Sequence, residues 1–162
     1  MNLIGLCLAL VLLFIANSAP VLAKNVLGNR FDAPLDGGRL WFDGQPVFGA
    51  SKTIRGLIAS VTACAFSAAV LGLPIGIGAA AGAAAMAGDL LSSFLKRRLQ
   101  IAPSGRAVAL DQIPEALLPA LVLASPLQLS IADIIIVTLA FWGAGVGLSP
   151  LLHRLGLRDR PH

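Results

Sequence analysis

Asp89, Ser92, Ser93 and Lys96 stand at spacings of i, i+3, i+4 and i+7, so on a helix they share one face. Arg97 and Arg98 follow Lys96 directly, and from Ile58 to Gly88 no residue is charged. A carboxylate at the lip of an apolar helix is costly and by default marks a functional site. Beside three consecutive cations it suits a divalent metal and phosphate groups held at a membrane surface. A second carboxylate, Asp111, opens the next apolar stretch. Two carboxylates on one rim supply the hard oxygen ligands that Mg²⁺ takes, with phosphates completing its octahedron. Plainer roles exist for both residues: Asp89 in a salt bridge to Lys96 or Arg97, and Asp111 as a helix cap.

The segment from 24 to 55 carries a second set of candidates. Phe48-Gly49-Ala50-Ser51-Lys52-Thr53-Ile54-Arg55-Gly56 has the look of a phosphate loop but not its spacing. A Walker A loop needs GxxxxGK[ST] between a strand and a helix, whereas Lys52 follows Gly49 by three positions. Glycine with open N–H groups, followed by cations that lead into a helix N-terminus, still favours phosphate. Lys52 and Arg55 fit that role and fit equally well as cationic anchors of a cytoplasmic loop. Cys7 and Cys64 form no CxxC pair and read as small buried hydrophobes. His153 and His162 have no partner arrangement for acid–base or metal chemistry, and no Ser/His/Asp constellation is present.

Membrane helices must position these residues. The chain has 162 residues, 57% hydrophobic and 12% charged, with a mean hydropathy of +0.85. That charged share is about half the ~25% of soluble domains. One all-α, polytopic membrane bundle fits the length, with spans at about 3–23, 56–73, 75–95, 113–125 and 130–152. The basic residues fall into three groups: Lys24, Arg30, Arg39, Lys52 and Arg55; Lys96, Arg97, Arg98 and Arg106; Arg154, Arg158 and Arg160. By the positive-inside rule the loops 24–55 and 96–112 and the C-terminus are cytoplasmic, the N-terminus is outside, and five transmembrane helices result. Val21-Leu22-Ala23 resembles a signal-peptidase site, but the first residues lack a positive n-region, so the first helix is expected to be retained. Gly78-Ala-Ala-Ala-Gly82 suits close helix packing, and Asp133 is expected to be interfacial and structural. The net charge of +4 belongs to loops and headgroup contacts; no nucleic-acid recognition module is visible.

Ala16-Asn17-Ser18-Ala19-Pro20, Asp36-Gly37-Gly38, the Phe48–Gly56 segment, Gly88-Asp89, Ser93-Phe94-Leu95-Lys96-Arg97-Arg98 and Leu110-Asp111-Gln112 occur in this order. Together they resemble the CDP-archaeol synthase family, which is related to phosphatidate cytidylyltransferase. The resemblance runs from about residue 14 to 125. It implies a CTP-dependent, Mg²⁺-using transfer onto a membrane lipid phosphate at the cytoplasmic membrane, with release of pyrophosphate. With the residue chemistry, it implies that Asp89, Lys96 and Asp111 are catalytic and that Asp89 and Asp111 hold Mg²⁺. Asn17, Lys52, Thr53, Arg55, Ser93, Arg97 and Arg98 would bind CTP and the lipid phosphate. A homo-oligomer is compatible with the sequence. The rival class is a non-catalytic transporter or scaffold subunit. A transporter predicts polar groups near mid-membrane, and this chain gathers its ionisable groups at the rim. The aspartate pattern of CDP-alcohol phosphotransferases is absent.

Overall fold

The computed structural model describes residues 2–101 and 108–154. Over these residues the chain is all-helical: α1 Leu3–Leu27, α2 Ile54–Val70, α3 Ile75–Arg98, α4 Val108–Ala124 and α5 Ile131–Arg154. Isolated bridges pair Pro34 with Thr53 and Leu40 with Pro46. Among the described residues, α1 and α3 are long and apolar enough to cross a membrane; α2 and the apolar part of α5 are shorter. The helices run past the expected spans on the basic side. α1 reaches Leu27, α3 reaches Arg98, and α4 begins at Val108 rather than 113. Asp111 in the first turn of α4 favours that earlier start, because a carboxylate complements the positive helix N-terminus.

Local chemistry sets the ends. The Asn2 side chain accepts from the Gly5 N–H at 3.0 Å and donates to the Leu127 carbonyl at 2.8 Å, so it caps α1 and ties it to the α4–α5 turn. Thr53 caps α2, its Oγ1 accepting from Gly56 N–H at 3.1 Å. Gly72, with φ +76°, closes α2 as the Leu73 N–H reaches back to the Ala68 carbonyl at 2.8 Å, and Pro74 opens α3. At the start of α5, Ser130 and Asp133 cap each other: Ser130 Oγ donates to Asp133 Oδ2 at 2.8 Å, and the Asp133 N–H donates to Ser130 Oγ.

Small residues bring the helices together. A Cβ on Gly78 would overlap the backbone of Cys64 and the Ala68 methyl, and one on Gly82 would lie 2.8 Å from the Ser60 carbonyl. The expected Gly78–Gly82 stripe is thus the α2–α3 contact. Gly88 does the same toward α4, where a Cβ would overlap the Pro114 carbonyl and lie 2.8 Å from Glu115 Cα. α3 therefore lies between α2 and α4, while α1 touches all four other helices. Leu12, Leu13, Ala81, Ala120, Leu123 and Val137 form the centre of the core. Large apolar side chains such as Phe66, Val70, Ile131 and Ile135 face outward, which a lipid solvent accommodates.

The segment between α1 and α2 is folded around one carboxylate. Asp36 Oδ2 accepts from the Phe48 and Gly49 N–H groups at 2.9 and 3.0 Å, and Oδ1 accepts from Gly38 at 3.0 Å. Gly49 takes φ +99° to present its N–H. Partial burial would raise the pKa of Asp36, but the backbone donors outweigh it and hold the carboxyl below its ordinary 3.8.

Two predictions come from this packing. Gly88→Val is expected to lose about 1–3 kcal/mol of stability by overpacking. Gly76→Ala, with nothing within 4 Å, should be neutral or gain up to about 1 kcal/mol. Denaturation in detergent separates the two. Because the folded pKa of Asp36 is depressed, its contribution is complete above the ordinary carboxylate range and is lost as pH falls through the folded value. Protease nicking of residues 28–53 should therefore stay slow down to about pH 4 and rise below it, whereas Asp36→Asn should be nicked faster at neutral pH.

Candidate active site

The site begins where α3 and α4 touch. The close approach at Gly88 sets Asp89 against the next helix, and the Asp89 and Glu115 carboxyl groups come within hydrogen-bond reach of each other. Lys52 completes the group from the α1–α2 segment. Its Nζ lies 2.6 and 2.7 Å from the two oxygens of Asp89, and it also acts electrostatically on Glu115. The Lys52 and Asp89 side chains are 22% and 21% exposed, so the pair sits in a recess where charge is less screened than at an open surface.

A second pair lies beside the first. Lys96 Nζ is 2.8 Å from Asp111 Oδ1, and Asp111 acts on Glu115 one turn along α4. Ser92 links the helices: its Oγ is 2.9 Å from the Gly88 carbonyl and 3.3 Å from that of Asp111. The expectation paired Asp89 with Asp111 as metal ligands. The structure sets Glu115 beside Asp89 and gives Asp111 to Lys96. Among the described residues no three Asp, Glu, His or Cys side chains gather closely enough to cage a metal alone. The adjacent Asp89 and Glu115 oxygens fit an ion that keeps waters and borrows phosphate oxygens, the habit of Mg²⁺.

The remaining candidates divide between the recess and its frame. Ser93 and Arg97 continue the Asp89 row at i+4 and i+8 and are only 5% exposed each. Arg97 Nε is buried without a partner, as are the Nε atoms of Arg55 and Arg98, but among the described residues Arg97 has no side-chain bond of the kind that occupies the other two. Arg98 is occupied: it donates to Asp43 at 3.0 Å and the Pro46 carbonyl at 2.7 Å, and lies 4.9 Å over the Phe94 ring and 5.7 Å over Trp41. It clasps the α1–α2 segment to the end of α3. Arg55 donates to the Gly28 and Arg30 carbonyls, and Thr53 is spent as the α2 cap. Asn17 turns its amide back to the Leu13 carbonyl at 3.0 Å. The Phe48 and Gly49 N–H groups, read above as open to phosphate, already hold the Asp36 carboxylate.

Glu115 escaped the sequence reading although a signal was present. It is the only glutamate in the chain, it stands at i+4 from Asp111 on one helical face, and it is ionisable inside an apolar stretch.

Known proteins resemble this chain. Residues 72–162, more than half of the chain, match the family model described as CarS-like, CDP-archaeol synthase. The CDP-archaeol synthase of Pyrococcus furiosus is 36% identical over 109 residues, 61% of this chain and 62% of that protein, so this match spans under two thirds of the relative. That of Thermococcus onnurineus is 37% identical over 126 residues, 71% of this chain and 70% of the other. That of Thermococcus kodakarensis is 32% identical over 164 aligned residues, 91% and 90%. A solved structure described as an intramembrane enzyme for archaeal membrane lipid biosynthesis superposes with a TM-score of 0.69 at 29% identity, over 92% of this chain and 90% of that one. The chain belongs to the CDP-archaeol synthase family.

Proposed function

We propose that this protein is a CTP-dependent cytidylyltransferase of the cytoplasmic membrane that converts a lipid phosphate into a CDP-activated lipid and pyrophosphate. All five helices span, the N-terminus lies outside, and the site faces the cytoplasm, where the basic loops gather. The observation that carries the reading is the Asp89–Glu115–Lys52 group, with the buried Arg97, whose Nε lacks a partner, two turns along the same helix.

Phosphoryl and nucleotidyl transfers are catalysed mainly by positioning and charge neutralisation. A phosphate oxygen of the lipid attacks the α-phosphorus of CTP, and the bond to the pyrophosphate oxygen breaks. The attacking oxygen is already anionic, so no protein base is needed. Mg²⁺, when bound, would supply neutralisation of the triphosphate charge. Asp89 and Glu115 would hold that ion, with Asp111 one turn away. Lys52 would follow the negative charge onto the β- and γ-phosphates. Arg97 gains in a phosphate the partner its burial withholds, and Lys96, released from Asp111, serves the same anions from the rim. Arg98, Arg55 and Thr53 would act by fixing the α1–α2 segment, so that Lys52 arrives at Asp89. Ser93, beside Arg97 in sequence register, would orient the same phosphate, and the Asn17 carbonyl oxygen would face the nucleotide. The outward apolar helix faces keep the lipid phosphate at headgroup level.

Purified protein given CTP and a panel of ether- and ester-linked lipid phosphates should release pyrophosphate with at least one of them, and the panel identifies the tails. Asp89→Asn and Glu115→Gln should each lower kcat by roughly 10²–10³-fold, and Asp111→Asn by less. Full activity in Glu115→Gln would remove it from the site, and no turnover with any lipid would overturn the reading. Arg97→Met should raise KM for CTP or lipid phosphate about tenfold or more, since a charged hydrogen bond of about 1.5–3 kcal/mol is lost. Its thermal stability should not fall, because a buried Nε–H that lacks a partner is removed. A stability loss with unchanged kinetics would make Arg97 architectural.

A further inference from the structure

Lys52 occupies an unusual position. Its ammonium bridges both oxygens of Asp89 at 2.6 and 2.7 Å and lies close enough to Glu115 to act on it electrostatically. A cation seated between both oxygens of one carboxylate, with a second carboxyl adjoining, has the surroundings of a bound divalent ion. The Lys52 backbone is fixed: its carbonyl accepts from the Leu35 N–H at 2.7 Å and its N–H donates to the Gly49 carbonyl at 3.1 Å. Only the four-carbon stem is free to swing, and an ammonium on such a stem moves readily between anions. The neighbouring Lys96–Asp111 pair differs, because both of its partners stand on helices.

We propose that Lys52 is a tethered stand-in for the divalent cation. In the resting protein its ammonium neutralises the Asp89–Glu115 pair and disfavours free metal. A nucleotide triphosphate draws the ammonium away, so metal and nucleotide enter together. This rests on the functional reading above. It adds an order of binding and gives Lys52 a second duty in the resting state. Coupling of this kind is reciprocal: nucleotide tightens metal by the factor by which metal tightens nucleotide. A purely structural strut between loop and helix would have no such coupling.

The test uses Mn²⁺ as a spectroscopic probe with the full chain in lipid nanodiscs, and a CTP analogue with a methylene between its α- and β-phosphates. Wild type should bind Mn²⁺ weakly alone and at least about tenfold more tightly with the analogue. Lys52→Met should bind Mn²⁺ alone about tenfold more tightly than wild type, since one opposing charge within hydrogen-bond distance is removed, and should gain little from the analogue. Lys52→Met/Glu115→Gln should return to weak binding, which locates the ion. Equal Mn²⁺ affinity of wild type with and without analogue overturns the proposal, and this arm needs no folded variant. Equal affinity of wild type and Lys52→Met overturns it too, while pyrophosphate release with lipid phosphate would leave the functional reading standing. No Mn²⁺ binding to any of the proteins, with or without the analogue, would overturn both.

Discussion

The backbone contact between Gly88 and Pro114 is the constraint on which the site depends. Any side chain at 88 would collide with the α4 backbone, so the two helices meet closely only because glycine is there. That approach places the Asp89 carboxyl next to Glu115. Two carboxyls so close in a recess repel unless they share a proton or a cation adjoins them. Lys52 supplies a cation at Asp89, and it reaches that carboxylate because the preceding segment is folded rather than loose. Helix packing, an acidic pair and a loop-borne cation are thus successive consequences of a single absent side chain.

The α1–α2 segment owes its shape to charge satisfied inside it. Asp36 fills a turn of backbone N–H groups, and Arg98 closes the far side through Asp43 and two aromatic faces. Charged hydrogen bonds and cation–aromatic contacts are strong enough to order a short segment that buries little apolar surface. The order is directional. The segment ends at Lys52 and Thr53, so the loop, the α2 cap and the delivery of the ammonium share one stretch of backbone. The glycines that resemble an anion-binding turn do bind an anion, but the anion belongs to the protein.

Much of this was legible from residue types. The apolar runs located the helices, and the Gly78–Gly82 stripe marked the α2–α3 contact. The uncharged stretch ending in Asp89 pointed to the carboxylate that meets Lys52 and Glu115. What the sequence concealed has physical reasons. Asp89 and Asp111 looked like natural partners because each opens or closes an apolar run; Glu115, one turn from Asp111 on α4, lies inside the run and meets Asp89 only through the close approach at Gly88. Arg98 and Arg55 looked like phosphate ligands because cations in loops usually face solvent. Apart from Phe94, one turn from Arg98, their carbonyl, carboxylate and ring partners are dozens of residues away and become visible only after folding. Arg97, the middle of three identical-looking cations, is distinguished solely by burial.

The Asn2 side chain caps the first turn of α1 and also holds the Leu127 carbonyl. One residue at the beginning of the chain therefore receives its second partner only after the first four helices have been synthesised. Until the α4–α5 turn exists, α1 has half of its N-terminal clasp unmade. This end of the bundle therefore receives its last side-chain clasp after α1 has already packed on α2 and α3.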